Sequence, residues 1–188
     1  VAMGEVIARP EMAHAVHVEV AGLQPNRPYW YRFTTGGERS FSGRARTLPM
    51  ACAAMDKLKF GVVGCQNFED GYFGAYNHLA REELDFVFHY GDYIYEYGPD
   101  VYPTRAQALA GRLVQPDHEM ITLADYRLRY ASYRRDPDLV RLHQLYPMVT
   151  VFDELSYGKD KLRLVINGFS KSALIRTEDV EKTIGLKV

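Results

Sequence analysis

The stretch that most constrains this chain runs from Lys59 to Gly98, KFGVVGCQNFEDGYFGAYNHLAREELDFVFHYGDYIYEYG. Lys59 to Gly64 is a short β-branched run that reads as a strand. Gly71 to Glu83 places apolar residues at 73, 76, 79 and 80, the spacing of a helix. Leu84 to Tyr90 is a second apolar run, followed by Gly91-Asp92. Strand, helix and strand within about thirty residues make a βαβ unit, whose right-handed crossover leaves the strands parallel. Parallel strands end on one edge of the sheet, and open α/β sheets bind ligands at that edge. Cys65 closes the first strand and Asp92 the second, with Tyr95 just beyond. These side chains are therefore expected to share one crevice.

A chain of 188 residues makes one ordinary domain or two small ones, and 47% apolar content suffices for a core. The net charge of −1 comes without a long run of either sign, which does not point to nucleic acid or an anionic membrane surface. No stretch of about 18 uncharged apolar residues is present, so a transmembrane helix is not expected. The first twenty residues lack the basic and then apolar order of a signal peptide. The first residue is Val, and the chain is expected to be a piece of a longer protein. Cys52 and Cys65 say little about compartment; a disulfide between them would remove Cys65 as a ligand.

Residues 1–48 read as β-hairpins. HVEVAGLQPNRPYWYRFTTGGERSFSGRARTLP alternates apolar and polar residues around turn signals at Gln24-Pro25-Asn26 and Gly36-Gly37. The alternation has the look of later strands of a fibronectin III-like sandwich, although three or four strands are too few to close one. Residues 49–58 lack periodicity and form the natural linker, in which Cys52 reads as a buried or idle thiol. DYIYEYGPDVYPT is a loop over the crevice, and Thr104–Leu113 is helix-compatible. Thr122–Arg135 is a stronger helix, with a capping box at Thr122 and Asp125 and a stripe of Leu123, Tyr126, Tyr130 and Tyr133. Asp136 caps a further helix with Pro137 at its first position, and MVTVF reads as a third buried strand ending at Asp153. In the tail, LRLVIN reads as a strand, and Thr177 opens a helix that Gly185 ends.

A thiolate, a carboxylate and a phenolate form an unusual donor set, suited to a highly charged metal such as ferric iron. Asp92 carries two oxygens and can bridge two metals. Each residue also has a bland reading. A Cys after an apolar strand is commonly core, Gly-Asp commonly caps a turn, and Tyr95 is one of 14 tyrosines available for packing.

GVVGCQNFEDGYFGAYNHLAREELDFVFHYGDYIYEYG resembles the first metal-binding block of the PhoD-type alkaline phosphatases, a branch of the calcineurin-like metallophosphoesterases. Gly-Cys-Gln after the strand and the Gly-Asp-Tyr-Ile-Tyr-Glu run carry the match. The N-terminal strands with their GRARTLP exit, and the Tyr-rich helix, extend it over about residues 1–152. The resemblance implies a ferric iron held by Cys65, Asp92 and Tyr95, with Asp92 also bridging to calcium. It implies metal-dependent hydrolysis of phosphate mono- or diesters at extracytoplasmic sites. It also implies an α/β fold: a partial metallophosphoesterase sheet with flanking helices, behind a small antiparallel β module.

The chain departs from that pattern after MVTVF. Family members show Asp-Asp-His-Glu there and an Asn beyond, where this chain has VFDELSYGKD. Asp153 and Glu154 read as remnants, and the later His and Asp ligands of the family lie beyond this length. His118-Glu119 imitates the missing motif but sits between helices. Residues 157–188 instead resemble a late segment of MinD/ParA-type and pilus-assembly ATPases, yet no Walker-type loop occurs, so nucleotide hydrolysis is not expected. The domain expectation is a β module at 1–48, a linker at 49–58, a truncated phosphoesterase domain at 59–156 and a strand-helix tail at 157–188. The functional expectation is a metal-dependent phosphoric ester hydrolase that lacks downstream ligands. The alternative is an inactive truncated fragment that serves as a metal-binding or protein-interaction module. Open sheet edges in such a chain favour self-association.

Overall fold

The computed structural model describes residues 2–152 and 163–165. Strand β1 (Pro28–Tyr31) pairs antiparallel with β4 (Gly43–Arg46), placing Trp30 opposite Arg44. Strands β2 (Thr34–Thr35) and β3 (Glu38–Arg39) form a hairpin closed by Gly36 and Gly37 at φ of +54° and +85°. Two successive positive φ values match the right-handed strand twist, which is why two glycines stand there. Among the described residues these are two separate two-stranded sheets, short of a closed sandwich. His17–Val20, expected as strand, carries none; Val18 and Val20 are exposed, with no neighbouring strand among the described residues.

The main sheet contains β5 (Phe60–Val63), β6 (Phe86–His89), β7 (Met148–Phe152) and β8 (Arg163–Val165), in that order. β5, β6 and β7 are parallel, as the strand-helix-strand pattern requires, and β8 joins β7 antiparallel. The strand read from LRLVIN is thus present at Arg163–Val165; the expected tail helix, Asp153 and Glu154 lie outside the described residues. The β module is tied to the sheet through Asp85, which accepts from Arg46 Nη1 at 2.6 Å and from the Lys59 amide at 2.9 Å.

Alternation along the strands sends Gly61, Val63, Val87 and Met148 toward α1 (Gly74–Leu79) and α3 (Pro137–Leu145). Leu79 lies directly over Gly61, where a Cβ would come within 2.9 Å of its methyls. Val87, Leu139 and Leu142 are fully buried in this layer. The opposite face carries Phe60 stacked on Phe86 at 5.0 Å, with Phe60 and Val62 exposed. No helix among the described residues is long and apolar enough to cross a membrane.

The helix expected over Gly71–Glu83 forms only across Gly74–Leu79. Its N-cap, Phe73, has no capping side chain; the Phe73 amide donates instead to Asp136 Oδ2 at 3.4 Å. Past Leu79, three-residue turns at Arg81 and Glu82 bend the chain toward β6. Thr104–Leu113 forms turns rather than a helix: Arg112 turns inward, and Gly111 sits at φ +79°. Helix α2 (Leu123–Tyr133) starts with the expected capping box between Thr122 and Asp125. Its buried face matches the expected stripe at Tyr133 and at half-buried Tyr130 only. Asp125, Arg129, Ser132 and Tyr133 face inward, while Leu123 and Tyr126 are exposed.

Asp136 ties three parts of the chain together. Its side chain caps α3 by accepting from the Asp138 and Leu139 amides at 3.0 and 3.1 Å. The same carboxylate takes Arg112 Nη1 at 2.8 Å in a fully buried ion pair. Arg112 in turn donates to Phe68 O at 2.7 Å and stacks on the Phe68 ring. Removing one partner of such a pair strands the other as a buried charge. Asp136→Ala is therefore expected to destabilise the fold by about 3–5 kcal/mol in urea unfolding. Thr122→Ala, which loses a cap alone, should cost about 1 kcal/mol. Equal small losses would contradict the assignment.

Behind the sheet, His89 is fully buried with neither ring nitrogen partnered among the described residues. His143 shares Nε2 with the Tyr93 hydroxyl at 2.7 Å. Burial lowers His89 to about 4. Burial, Arg134 and His89 together lower His143 to about 3. Both rings are neutral in the folded protein, whereas unfolded His takes up protons below about 6.5. The unfolded state then binds more protons, so stability is complete above about pH 6.5 and falls toward pH 4. His89 alone accounts for a loss of about 2–3 kcal/mol by pH 4.5. His89→Leu should flatten that slope in denaturant unfolding between pH 7 and 4.5; an unchanged slope would exclude His89 as its source.

Candidate metal centre

The parallel pairing of β5 and β6 does not stop at the strand ends. Tyr90 N donates to Val63 O at 2.9 Å, Cys65 N to Gly91 O at 3.0 Å and Gln66 N to Asp92 O at 3.1 Å. These bonds lay the two loop starts side by side and bring Cys65 against Asp92. The cost is backbone strain, because Cys65 and Asp92 both sit at positive φ, +52° and +53°. Such a conformation costs on the order of 1–3 kcal/mol per non-glycine residue and persists only where the surroundings impose it. Gly64 completes the turn: a Cβ there would lie 2.4 Å from the Tyr90 ring.

The expected donors converge on one atom. The Cys65 thiol donates to Asp92 Oδ2 at 3.3 Å, and the Tyr95 hydroxyl donates to the same oxygen at 3.3 Å. Cys65 and Asp92 are exposed and Tyr95 is half-buried, so the cluster opens to solvent. Tyr97 and Tyr102 flank Tyr95 with ring centroids at 6.1 and 6.5 Å and form an aromatic wall. Burial, followed by the nearby Asp92 and Cys65, pushes the Tyr95 phenol well above its ordinary range. The Cys65 thiol does the same to Tyr90. The sequence reading did not single out Tyr90; an aromatic residue ending a strand carries no signal of its own.

Behind the donors lies a buried layer. Gln66 Nε2 donates to Tyr93 O at 2.9 Å, and the Tyr76 hydroxyl donates to Gln66 Oε1 at 2.6 Å. Gln66 thereby fixes the turns that follow both strands. Cys52 and Cys65 are separate free thiols, so the disulfide is not formed and Cys65 keeps its sulfur available. Cys52 is exposed rather than buried. His118, in the HisGlu pair that imitates a ligand motif, meets Asp125 at the start of α2 at 3.3 Å.

Among the described residues no three His, Cys, Asp or Glu side chains come together, so Tyr95 is needed to complete a three-donor set here. The set fits a hard, highly charged cation. Two groups that surrender protons on coordination, the Cys65 thiol and the Tyr95 phenol, meet one oxygen of the Asp92 carboxylate. No Lys or Arg side chain among the described residues pairs with any of them. The Asp92 carboxylate is thus left for an incoming cation.

Comparison with known proteins gives a consistent result. The profile of the PhoD-like phosphatase family matches residues 60–154, and that of the PhoD-like phosphatase N-terminal domain matches residues 1–49. Alkaline phosphatase D of Bacillus subtilis (strain 168) is 46% identical over 151 residues, covering 80% of this chain and 25% of that protein. The chain thus spans about a quarter of the length of that relative. A solved structure of PhoD superposes with a TM-score of 0.73 at 43% identity, covering 87% of this chain and 31% of the other.

Proposed function

The chain belongs to the PhoD-like phosphatase family, and on that premise we propose that it carries the first metal site of a phosphoric ester hydrolase. The observation that carries the reading is the convergence of Cys65 and Tyr95 on Asp92 Oδ2. Cys65, Asp92 and Tyr95 would hold the ferric iron, and Asp92 would also serve the calcium, that the family resemblance implies. Bound there, the ions supply positive charge that polarises a phosphoryl oxygen. Cys65 and Tyr95, which now donate hydrogen bonds to Asp92, would lose those protons to solvent on coordination, and their anions would offset the charge of the metal. Gln66 keeps the two loops in register, so the donors need little rearrangement. The Tyr95, Tyr97 and Tyr102 wall limits water on one side, and the open side above Cys65 and Asp92 admits a phosphate ester.

The same premise extends to organisation and location. Residues 1–48 are a fibronectin III-like β module, 49–58 a linker and 59–156 a metallophosphoesterase domain, while the expectation for 157–188 lies outside the described residues apart from β8. The protein works outside the cytoplasm. Exposed Phe60 and Val62 on the edge strand β5 favour self-association. A second reading, a metal-binding or protein-interaction module without turnover, is favoured by the three-donor site, which is fewer than a two-metal centre needs.

Metal analysis, visible absorption and hydrolysis of a phosphate monoester and diester test these readings. The wild-type protein should bind iron with a broad phenolate-to-iron band. Tyr95→Phe should lose that band. Asp92→Asn should lose the iron and at least about 100-fold of any hydrolysis. Iron and band without turnover would favour the second reading. Full iron content and turnover in Asp92→Asn would refute the site.

A further inference from the structure

We propose that Arg129 is a positioning residue for Tyr95, clamping the loop that carries the phenol; this rests on the metal-site reading above. Arg129 lies on α2 at 2% exposure. A buried guanidinium ordinarily faces a carboxylate, yet Arg129 forms no ion pair among the described residues. Its partners are backbone carbonyls from two segments. Nη1 donates to Tyr95 O, and Nη2 donates to Tyr97 O at 3.1 Å. From the other segment, Nε reaches Gln115 O at 3.1 Å, while Nη2 also meets Pro116 O at 3.3 Å and His118 O at 3.4 Å.

The segment next to Tyr95 is held at each residue. Tyr95 and Tyr97 give their carbonyls to Arg129, and between them Glu96 O accepts from Met120 N at 3.0 Å. Gly98 permits the close approach, since a Cβ there would lie 3.2 Å from Glu119 N. Tyr95 is thus fixed at its carbonyl by Arg129, while its hydroxyl meets Asp92 Oδ2 at 3.3 Å. Helix α2 brings its own rigidity through the capping box of Thr122 and Asp125. Five donors in a planar fork can span carbonyls from both segments at once. A lysine has the same charge but presents three donors from one point, so Lys is not equivalent here.

The experiment uses the full chain in wild-type, Arg129→Lys, Tyr95→Phe and double-variant forms. Hydrogen exchange on the metal-free proteins should show amides of 95–98 and 115–120 exchanging at least about tenfold faster in Arg129→Lys, with β6 and α3 unchanged. Titration with ferric citrate should show at least about tenfold weaker iron binding and a diminished phenolate band in Arg129→Lys. In the Tyr95→Phe background, Arg129→Lys should weaken iron binding no further. A merely structural arginine would weaken it in both backgrounds, and that result overturns the proposal. So does an Arg129→Lys protein with wild-type loop protection, band and affinity. Should Arg129→Lys not melt cooperatively, Gly98→Ala disturbs the same clamp with the charge kept and must show the same coupling. Wild-type protein without iron or band would instead sink the metal-site reading, and the proposal with it.

Discussion

Three backbone hydrogen bonds beyond the ends of β5 and β6 carry the organisation of this protein. Tyr90 to Val63, Cys65 to Gly91 and Gln66 to Asp92 continue the parallel ladder into the loops. Parallel strands place two chain ends on one edge, but only this continuation brings Cys65 against Asp92. It holds both residues at positive φ, a conformation neither would select in a free loop. The strain is concentrated where the chemistry is, and the packing of α1 and α3 against one face of the sheet offsets it.

Two buried arginines do in this small core what apolar side chains do elsewhere. Arg112 joins Phe68, Asp136 and the start of α3; Arg129 joins the loop after Asp92 to the segment before α2. Each replaces a patch of hydrophobic contact by directed bonds to groups that would otherwise be buried without partners. The segment from Gly98 to Pro116 has no helix or strand, and fixed backbone bonds give it a defined course over the crevice.

The parallel pairing of β5 and β6, the two site-bearing strand ends and the caps of α2 and α3 were legible because they depend on local spacing and on turn chemistry. Cys65, Asp92 and Tyr95 could be named as neighbours from the βαβ pattern, and the structure brings them within hydrogen-bond distance. The inward face of α2 was legible only in part, at Tyr130 and Tyr133. Periodicity weighs apolar residues, so it pointed to Leu123 and Tyr126, whereas the helix buries Asp125, Arg129 and Ser132. What draws Arg129 inward is a set of loop carbonyls from residues 11 to 34 positions away, which the periodicity of apolar residues does not register. Helix α1 was overestimated for a related reason: its start depends on the distant Asp136, and its end on turns that lead into β6. The strand expected at His17–Val20 has the right alternation but no partner strand among the described residues.

The most direct test of the account is X-ray absorption at the iron edge on the iron-loaded protein, with Cys65→Ser alongside. The account predicts one sulfur scatterer among oxygen donors, and its disappearance in Cys65→Ser. An iron environment without sulfur in the wild type, or one that Cys65→Ser leaves unchanged, would contradict the claim that this crevice is a metal centre.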